Sequence, residues 1–328
     1  MITVAKLRRK PRHFQAFTGL SLAQFDQLLA QVEPVYEADQ HDRRDRAQRL
    51  RQPGAGRPFA LALPERLLMS LLYLRLYVGQ NLLSYLFDID QSNVSRELNE
   101  RLLPLLLLVL PVPLRDAPLR HLAKDKPESS GQPGASANKK RRRINTLQEL
   151  LAAYPEMEEV LLDATEQAVP QPEDKQARKL RYSGKQQDHT VKTQIVATKE
   201  RILHVFGGLP GSLSDQTVLG ASGVIRQVPA HVKIRLDKGY EGTHKRHPDR
   251  AVQAPVKGQR NHKVTVLGRA YNYLLSTQRI YVEHHFARLK KFGILRAVYR
   301  GRFEAHEDLF CIVSGLLNFR ATGQFSLV

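Results

Sequence analysis

Apolar residues in the first hundred positions recur at the three- and four-residue steps of an amphipathic helix. Leu22, Phe25, Leu28, Leu29 and Val32 follow Ser21, whose hydroxyl can cap a first turn. Pro53, Gly54, Gly56 and Pro58 mark a loop, and Pro64 suits the first turn of a long apolar helix reaching Val78. Asn81 to Asp88, then Ile89-Asp90-Gln91, then Ser92 to Leu103 read as helix, tight turn, helix. Leu82, Leu83, Leu86, Ile89, Val94 and Leu98 supply the inner positions, and Ser92 is the expected cap of the second helix.

Residues 124–143 carry Pro, Gly and Ser without periodic apolar positions and end in five consecutive bases, Lys139 to Arg143. They read as a flexible basic linker, the bases being either a solvated tract or a phosphate-contacting arm. The chain divides accordingly into a helical region, 1–123, the linker, and a second domain, 144–328.

Past the linker the periodicity changes. Thr146 with Glu149 forms a capping-box pattern. Val160-Leu161-Leu162 is a buried strand expected to end at Asp163. Thr190 to Ala197 and Ile202 to Phe206 are strands around a turn at Lys199-Glu200. Ser214 caps a helix to about Arg226. Val232, Ile234 and Leu236 alternate in a strand ending at Asp237, and Ala251 to Val256 is a further short strand. A long helix from about Gly268 to Lys291 and a last apolar helix, about Ala305 to Phe319, complete the pattern. The fold class is therefore α/β (α+β) in the second domain, preceded by an all-α region.

Composition sharpens this. With 42% hydrophobic and 25% charged residues over 328 positions, the chain is globular. A formal charge of +19 favours an anionic partner, most simply nucleic acid, although coding bias toward Arg yields the same surplus. The single cysteine, Cys311, lies among apolar neighbours. It excludes a disulfide framework and a Cys-based zinc site, and suggests a reducing, cytoplasmic setting. No apolar h-region opens the sequence, so no signal peptide is expected. The longest apolar run, Leu102 to Leu114, is broken by three prolines and falls short of the about 20 residues a membrane span needs.

Three acids carry the candidate chemistry. Asp163 and Asp237 close strands, where ligands of α/β sheets gather, and Glu283 lies inside the long helix. Carboxylates so placed suit hard divalent cations and in-line displacement at phosphorus. Taken singly, the aspartates could cap turns and Glu283 could pair with Arg279 or Lys290. Arg279 and Lys290 stand four residues before and seven after Glu283, on one helical face, as salt-bridge partners or as phosphate grips. Lys185, His189 and Lys192 are either DNA contacts or ordinary hydrogen-bonded residues. Asp215 reads as a helix-capping residue beside Ser214. His244, His247, His284 and His285 lack the pattern of a zinc site. Gln91, Asn93, Ser95, Arg96 and Asn99 on the second helix of the N-terminal pair can read base edges or grip phosphates, unless the pair is a plain αα-hairpin.

These residues carry a resemblance. Leu161-Leu162-Asp163-Ala164-Thr165, Tyr182-Ser183-Gly184-Lys185 with His189-Thr190-Val191-Lys192, Pro210-Gly211-Ser212 with Asp215, Asp237-Lys238-Gly239-Tyr240, and Arg279 through Lys290 occur in order between about 146 and 320. The segment resembles a DDE-superfamily transposase of the bacterial insertion sequence family five and Harbinger-like group. In the Tyr-x2-Arg-x3-Glu-x6-Lys signature of that group, Arg279, Glu283 and Lys290 match, but Ser276 stands at the Tyr position, with Tyr273 one turn earlier.

The resemblance implies an RNase H-like catalytic domain behind a helix-turn-helix, about 64–103. Asp163, Asp237 and Glu283 would be metal ligands for two Mg²⁺, with Mn²⁺ able to substitute. The expected activity is cleavage and transfer of DNA strands at terminal inverted repeats. The expected setting is bacterial and nucleoid-associated, with a homo-oligomer assembled on DNA ends and no membrane. Two other readings stand beside it: a non-catalytic, domesticated DNA-binding protein, and an RNase H-like nuclease without transposition. Metal-dependent nicking of repeat DNA separates the first, and indifference to the repeat marks the second.

Overall fold

A computed structural model describes residues 1–44, 60–115, 144–256, 258 and 264–327. The loop expected around Pro53 to Pro58 and the linker 124–143 lie outside the described residues. The helical region comprises α1 (Val4–Arg8), α2 (Pro11–Thr18), α3 (Leu22–Arg44), α4 (Leu63–Leu76), α5 (Gln80–Phe87), α6 (Gln91–Arg96), a π-turn (Glu97–Leu102) and α7 (Leu103–Val109), followed by strand β1 (Leu114–Arg115). Then come α8 (Leu147–Ala153), β2 (Glu159–Ala168), α9 (Lys175–Arg181), β3 (Tyr182–Ser183), β4 (Asp188–Ala197), β5 (Ile202–Pro210), α10 (Asp215–Ser222), α11 (Val224–Gln227) and β6 (Lys233–Arg235). α12 (Thr243–Arg246), β7 (Val252–Gln253), α13 (Val266–Leu289), α14 (Gly293–Arg296) and α15 (His306–Thr322) follow.

Local chemistry explains most boundaries. Gln24 N–H donates to the Ser21 hydroxyl at 3.2 Å while Ser21 N–H donates to the Gln24 side chain, so α3 opens in a reciprocal cap. The Thr146–Glu149 box forms as expected. The second helix of the N-terminal pair differs from expectation. Asp88, at φ 56°, closes α5, and Asp90 rather than Ser92 occupies the cap position of α6. The helix then passes through Pro104 instead of stopping at Leu103: the π-turn just before it loosens the ladder where the proline ring would crowd a carbonyl. Beyond Ser214 the expected single helix is broken at Gly223, which adopts φ 59°.

The sheet order is β1-β5-β4-β2-β6-β7, with β3 paired to β4 as a short side hairpin. β4 runs antiparallel to both neighbours; β2, β6 and β7 run parallel to one another. Asp163 is not the last residue of its strand. Parallel pairing of β2 with β6 stops at Leu161, but antiparallel pairing with β4 continues from Asp163↔Ile195 to Ala168↔Thr190. Asp163 thus stands just past the parallel ladder, in mid-strand. β6 likewise ends at Arg235, two residues before Asp237.

One apolar core runs from Phe14, Phe25 and Leu67 of the helical region to Ile195 and Val205 of the sheet and Phe310 and Leu316 of α15. A second fills the other face, with Leu150, Leu162, Ile234 and Tyr240. β1 lies parallel to β5, so the N-terminal region also contributes the sheet's edge strand. Gln167 on β2 donates to the carbonyls of Ile294 and Ala297 at 2.7 Å and accepts from His306, locking α14 and α15 to the sheet. Burial holds the His306 imidazole neutral, pushing it down to about 4. Among the described residues no helix is long and apolar enough to cross a membrane.

Candidate active site and nucleic-acid interface

Asp163 points from β2 toward the segment after β6 and the middle of α13. Arg279, on α13, lies between the two aspartates: its Nη1 is 3.0 Å from Asp237 Oδ1, and its Nη2 is 3.6 Å from Asp163 Oδ2. Asp163 Oδ1 also accepts from the Ala164 N–H at 2.8 Å. Burial pushes the Asp163 carboxyl up to about 6; the Ala164 bond and Arg279 oppose the rise, while Asp237 and Asp215 add to it. Two carboxylates therefore converge on one point that already holds a positive group. The Tyr240 hydroxyl is buried nearby without a hydrogen-bond partner among the described residues, and burial and the same three aspartates raise it well above its ordinary value.

Asp215 is the member the sequence undervalued. Ser214, not Asp215, caps α10, its hydroxyl accepting from Thr217 N–H at 3.1 Å. The Asp215 carboxylate turns inward: Lys192 Nζ meets Oδ1 at 2.9 Å, and a Cβ on Gly239 would come within 3.0 Å of Oδ2. The available signal was its place behind Pro210-Gly211-Ser212.

Lys192 is correspondingly no surface cation. It is 4% exposed, lies 3.2 Å from Glu166 and donates to the Leu213 carbonyl at 2.6 Å. The expectation of Lys192 as a DNA contact is corrected: two carboxylates engage its charge inside the fold. Burial is the largest single influence on the Glu166 carboxyl and raises it, but hydrogen bonds from Ser183 and Thr190 together with Lys192 outweigh it, so the carboxyl is lowered.

Glu283 is exposed on α13, one turn beyond Arg279, and no ion pair joins it to Asp163, Asp237 or either expected basic partner among the described residues. No three His, Cys, Asp or Glu side chains among those residues gather closely enough to hold an ion. Lys185, in the turn between β3 and β4, and Lys290, at the end of α13, are exposed. His189 packs edge-on against Tyr182. Ser276 donates to the Tyr273 carbonyl at 2.7 Å, and the Tyr273 ring is largely exposed.

The five expected DNA-reading residues fall on two flanks of one helix. Gln91, Ser95 and Asn99 follow one another at four-residue steps; Gln91 donates to Gln80 at 2.7 Å, and Asn99 to the Ser95 carbonyl at 3.0 Å. Ser95 and Asn99 line a cleft of about 790 Å³ shared with Tyr77, Arg300 and Arg302. Asn93 and Arg96 line a different cleft, of about 1180 Å³, with Lys6, Arg66 and Arg101. Beneath it Arg66, 2% exposed, donates to Glu97 and to the Tyr36 hydroxyl, both at 2.5 Å, and Arg101 pairs with the same Glu97.

Paired carboxylates on a mixed sheet, behind a helix-turn-helix and within a basic chain, fit metal-assisted chemistry on nucleic acid. Residues 162–318 match the family described as DDE superfamily endonuclease, and residues 59–106 match the helix-turn-helix of DDE superfamily endonuclease. Those two segments are what this chain shares with DDE superfamily endonucleases. Among curated proteins it is similar to a "Probable transposase for insertion sequence element IS702" from Microchaete diplosiphon, 33% identical over 172 residues. That stretch is 52% of this chain and 60% of the relative's length. No solved structure gives a significant match.

Proposed function

We propose that the protein is a transposase that binds the terminal inverted repeats of an insertion sequence and carries out metal-dependent cleavage and transfer of DNA strands. The observation that carries this reading is the convergence of Asp163 and Asp237 on the Arg279 guanidinium. A divalent cation fits there, since it would relieve the same repulsion that raises the Asp163 carboxyl. When bound, such ions activate an attacking oxygen and stabilise the leaving one.

In this reading Asp163 and Asp237 hold metal, two Mg²⁺ in number, and Glu283 joins them when α13 engages substrate. Arg279 then turns from the aspartates to a phosphate of the scissile strand, beside Lys290, while Lys185 grips the backbone at the rim. Gln91, Asn93, Ser95, Arg96 and Asn99 contact the repeat, and copies of the chain assemble on paired ends. Support for an RNase H-like sheet comes from the order β5-β4-β2-β6-β7: numbered from β2, the strands lie 3-2-1-4-5 with the second antiparallel.

The test is strand cleavage of an inverted-repeat duplex by Asp163→Ala, Asp237→Ala and Glu283→Ala. Each should lose cleavage in Mg²⁺ while retaining duplex binding. Wild-type cleavage by any two of them would overturn the assignment.

A further inference from the structure

Four arginines gather where helices end. Arg75 occupies the last turn of α4, Arg288 that of α13, Arg296 that of α14 and Arg320 that of α15. Gly293 makes the approach possible: a Cβ there would lie 2.8 Å from the Leu76 carbonyl oxygen and 3.1 Å from that of Arg75. The Arg75 guanidinium lies 5.1 Å over the Phe292 ring and donates through Nε to the Ala16 carbonyl at 3.3 Å, while its Nη1 is buried without a partner among the described residues. Arg75 is held below its usual value by burial and then by Arg320 and Arg296; Arg320 is held down by burial and Arg288. No carboxylate pairs with any of the four among the described residues.

Helix ends explain part of this. A C-terminus carries roughly half a negative charge, so the three longer helices supply about 1.5 charges against four guanidinium groups. The surplus is positive, and it is shared by helices of the N-terminal region and of the catalytic sheet. Arg288 also stands nine residues past Arg279, about half a turn out of phase on α13, so the cluster faces away from the aspartates.

We propose that Arg75, Arg288, Arg296 and Arg320 form a phosphate-binding site for the backbone of duplex DNA, separate from both the scissile strand and the repeat-reading residues Gln91 to Asn99 of the helix-turn-helix. Guanidinium groups suit this because each presents a planar fork of donors to phosphate oxygens. The proposal rests on the DNA reading above and adds where a flanking or second duplex is held.

The experiment is binding of a random-sequence duplex by the full chain across a salt series, for wild type, Arg296→Gln, the double variant Arg288→Gln/Arg296→Gln and its Lys counterpart. Losing two phosphate contacts should make the log–log salt slope shallower by about 1.8, and the single variant by about 0.9. Affinity should fall about tenfold or more in the double Gln variant and largely return with lysines. The melting temperature should hold or rise, because repulsion is relieved. Wild-type slope and affinity in a folded double Gln variant would overturn this site alone. A lowered melting temperature with unchanged binding would also overturn it, making the arginines helix-end partners. Failure of wild type to bind any duplex would overturn the DNA reading itself.

Discussion

Arg279 and Asp237 stand 3.0 Å apart, guanidinium Nη1 to carboxylate Oδ1, with Asp163 on the other arm of the same fork. The helix thus places a cation where two acids would otherwise repel. Arg279→Gln should destabilise the metal-free protein by about 1–2 kcal/mol at neutral pH. This is less than the about 3–5 kcal/mol of a broken buried pair, because Asp237 is partly exposed. Mg²⁺ should restore much of the loss. Urea unfolding with and without the ion checks this, and an Mg²⁺ response no larger than that of wild type would contradict it.

The Asp163 carboxyl sits at about 6 against an ordinary 3.8. A raised acid binds more protons folded than unfolded between those values, so stability falls as pH rises from about 4 to 6 and stays lower above that. The shift is worth roughly 3 kcal/mol at most. Asp163→Asn should therefore stabilise the metal-free protein at pH 7, with the gain disappearing near pH 4. Unfolding free energies at the two pH values give the answer; an equal effect at both would refute it.

Arg66 and Glu97 are both buried beneath the N-terminal helix pair. Arg66→Met leaves Glu97 without its main buried partner and should cost about 3 kcal/mol. The double change Arg66→Met/Glu97→Met should recover most of that, since neither charge is then stranded. Denaturant midpoints of wild type, Arg66→Met, Glu97→Met and the double variant test the coupling, and simple additivity would count against it.

Lys192 and Lys290 should behave oppositely. Lys192→Met strands Glu166 and Asp215 inside the fold and should lower stability by about 3 kcal/mol. Lys290→Ala removes an exposed side chain, so folding and repeat binding should be retained while strand joining on pre-nicked ends falls about a hundredfold. A thermal melt beside a joining assay separates the two, and full joining by Lys290→Ala would return that lysine to a surface role.

Periodicity and punctuation in the sequence determined the elements. Ser21, Thr146 and Ser214 cap helices because a hydroxyl needs only the backbone N–H three residues on. Alternation around Val232 and the apolar runs at 161, 191 and 202 became strands for the same local reason. The motif residues from Asp163 to Lys290 were legible because their types and order are written in the chain.

Tertiary structure decided what those residues do. Antiparallel pairing with β4 carried β2 beyond Asp163, a long-range contact that no local pattern reports. A π-turn let α7 continue through Pro104, where local rules end the helix. In the sequence Lys192 is open to either a DNA contact or an ordinary hydrogen-bonded role, and in the fold its ammonium lies between carboxylates 26 residues back and 23 residues on, on β2 and α10. Helical phase puts Arg279 on the face of Glu283, but it spans Asp163 and Asp237 because the sheet and α13 bring an acid in mid-β2 and one just past β6 within reach of its guanidinium fork. The four arginines at helix ends are far apart in sequence and share one surface only because α4, α13, α14 and α15 pack together. Charge types are fixed residue by residue, whereas the partners of a charge are set by distance, and distance between remote residues exists only in the folded chain.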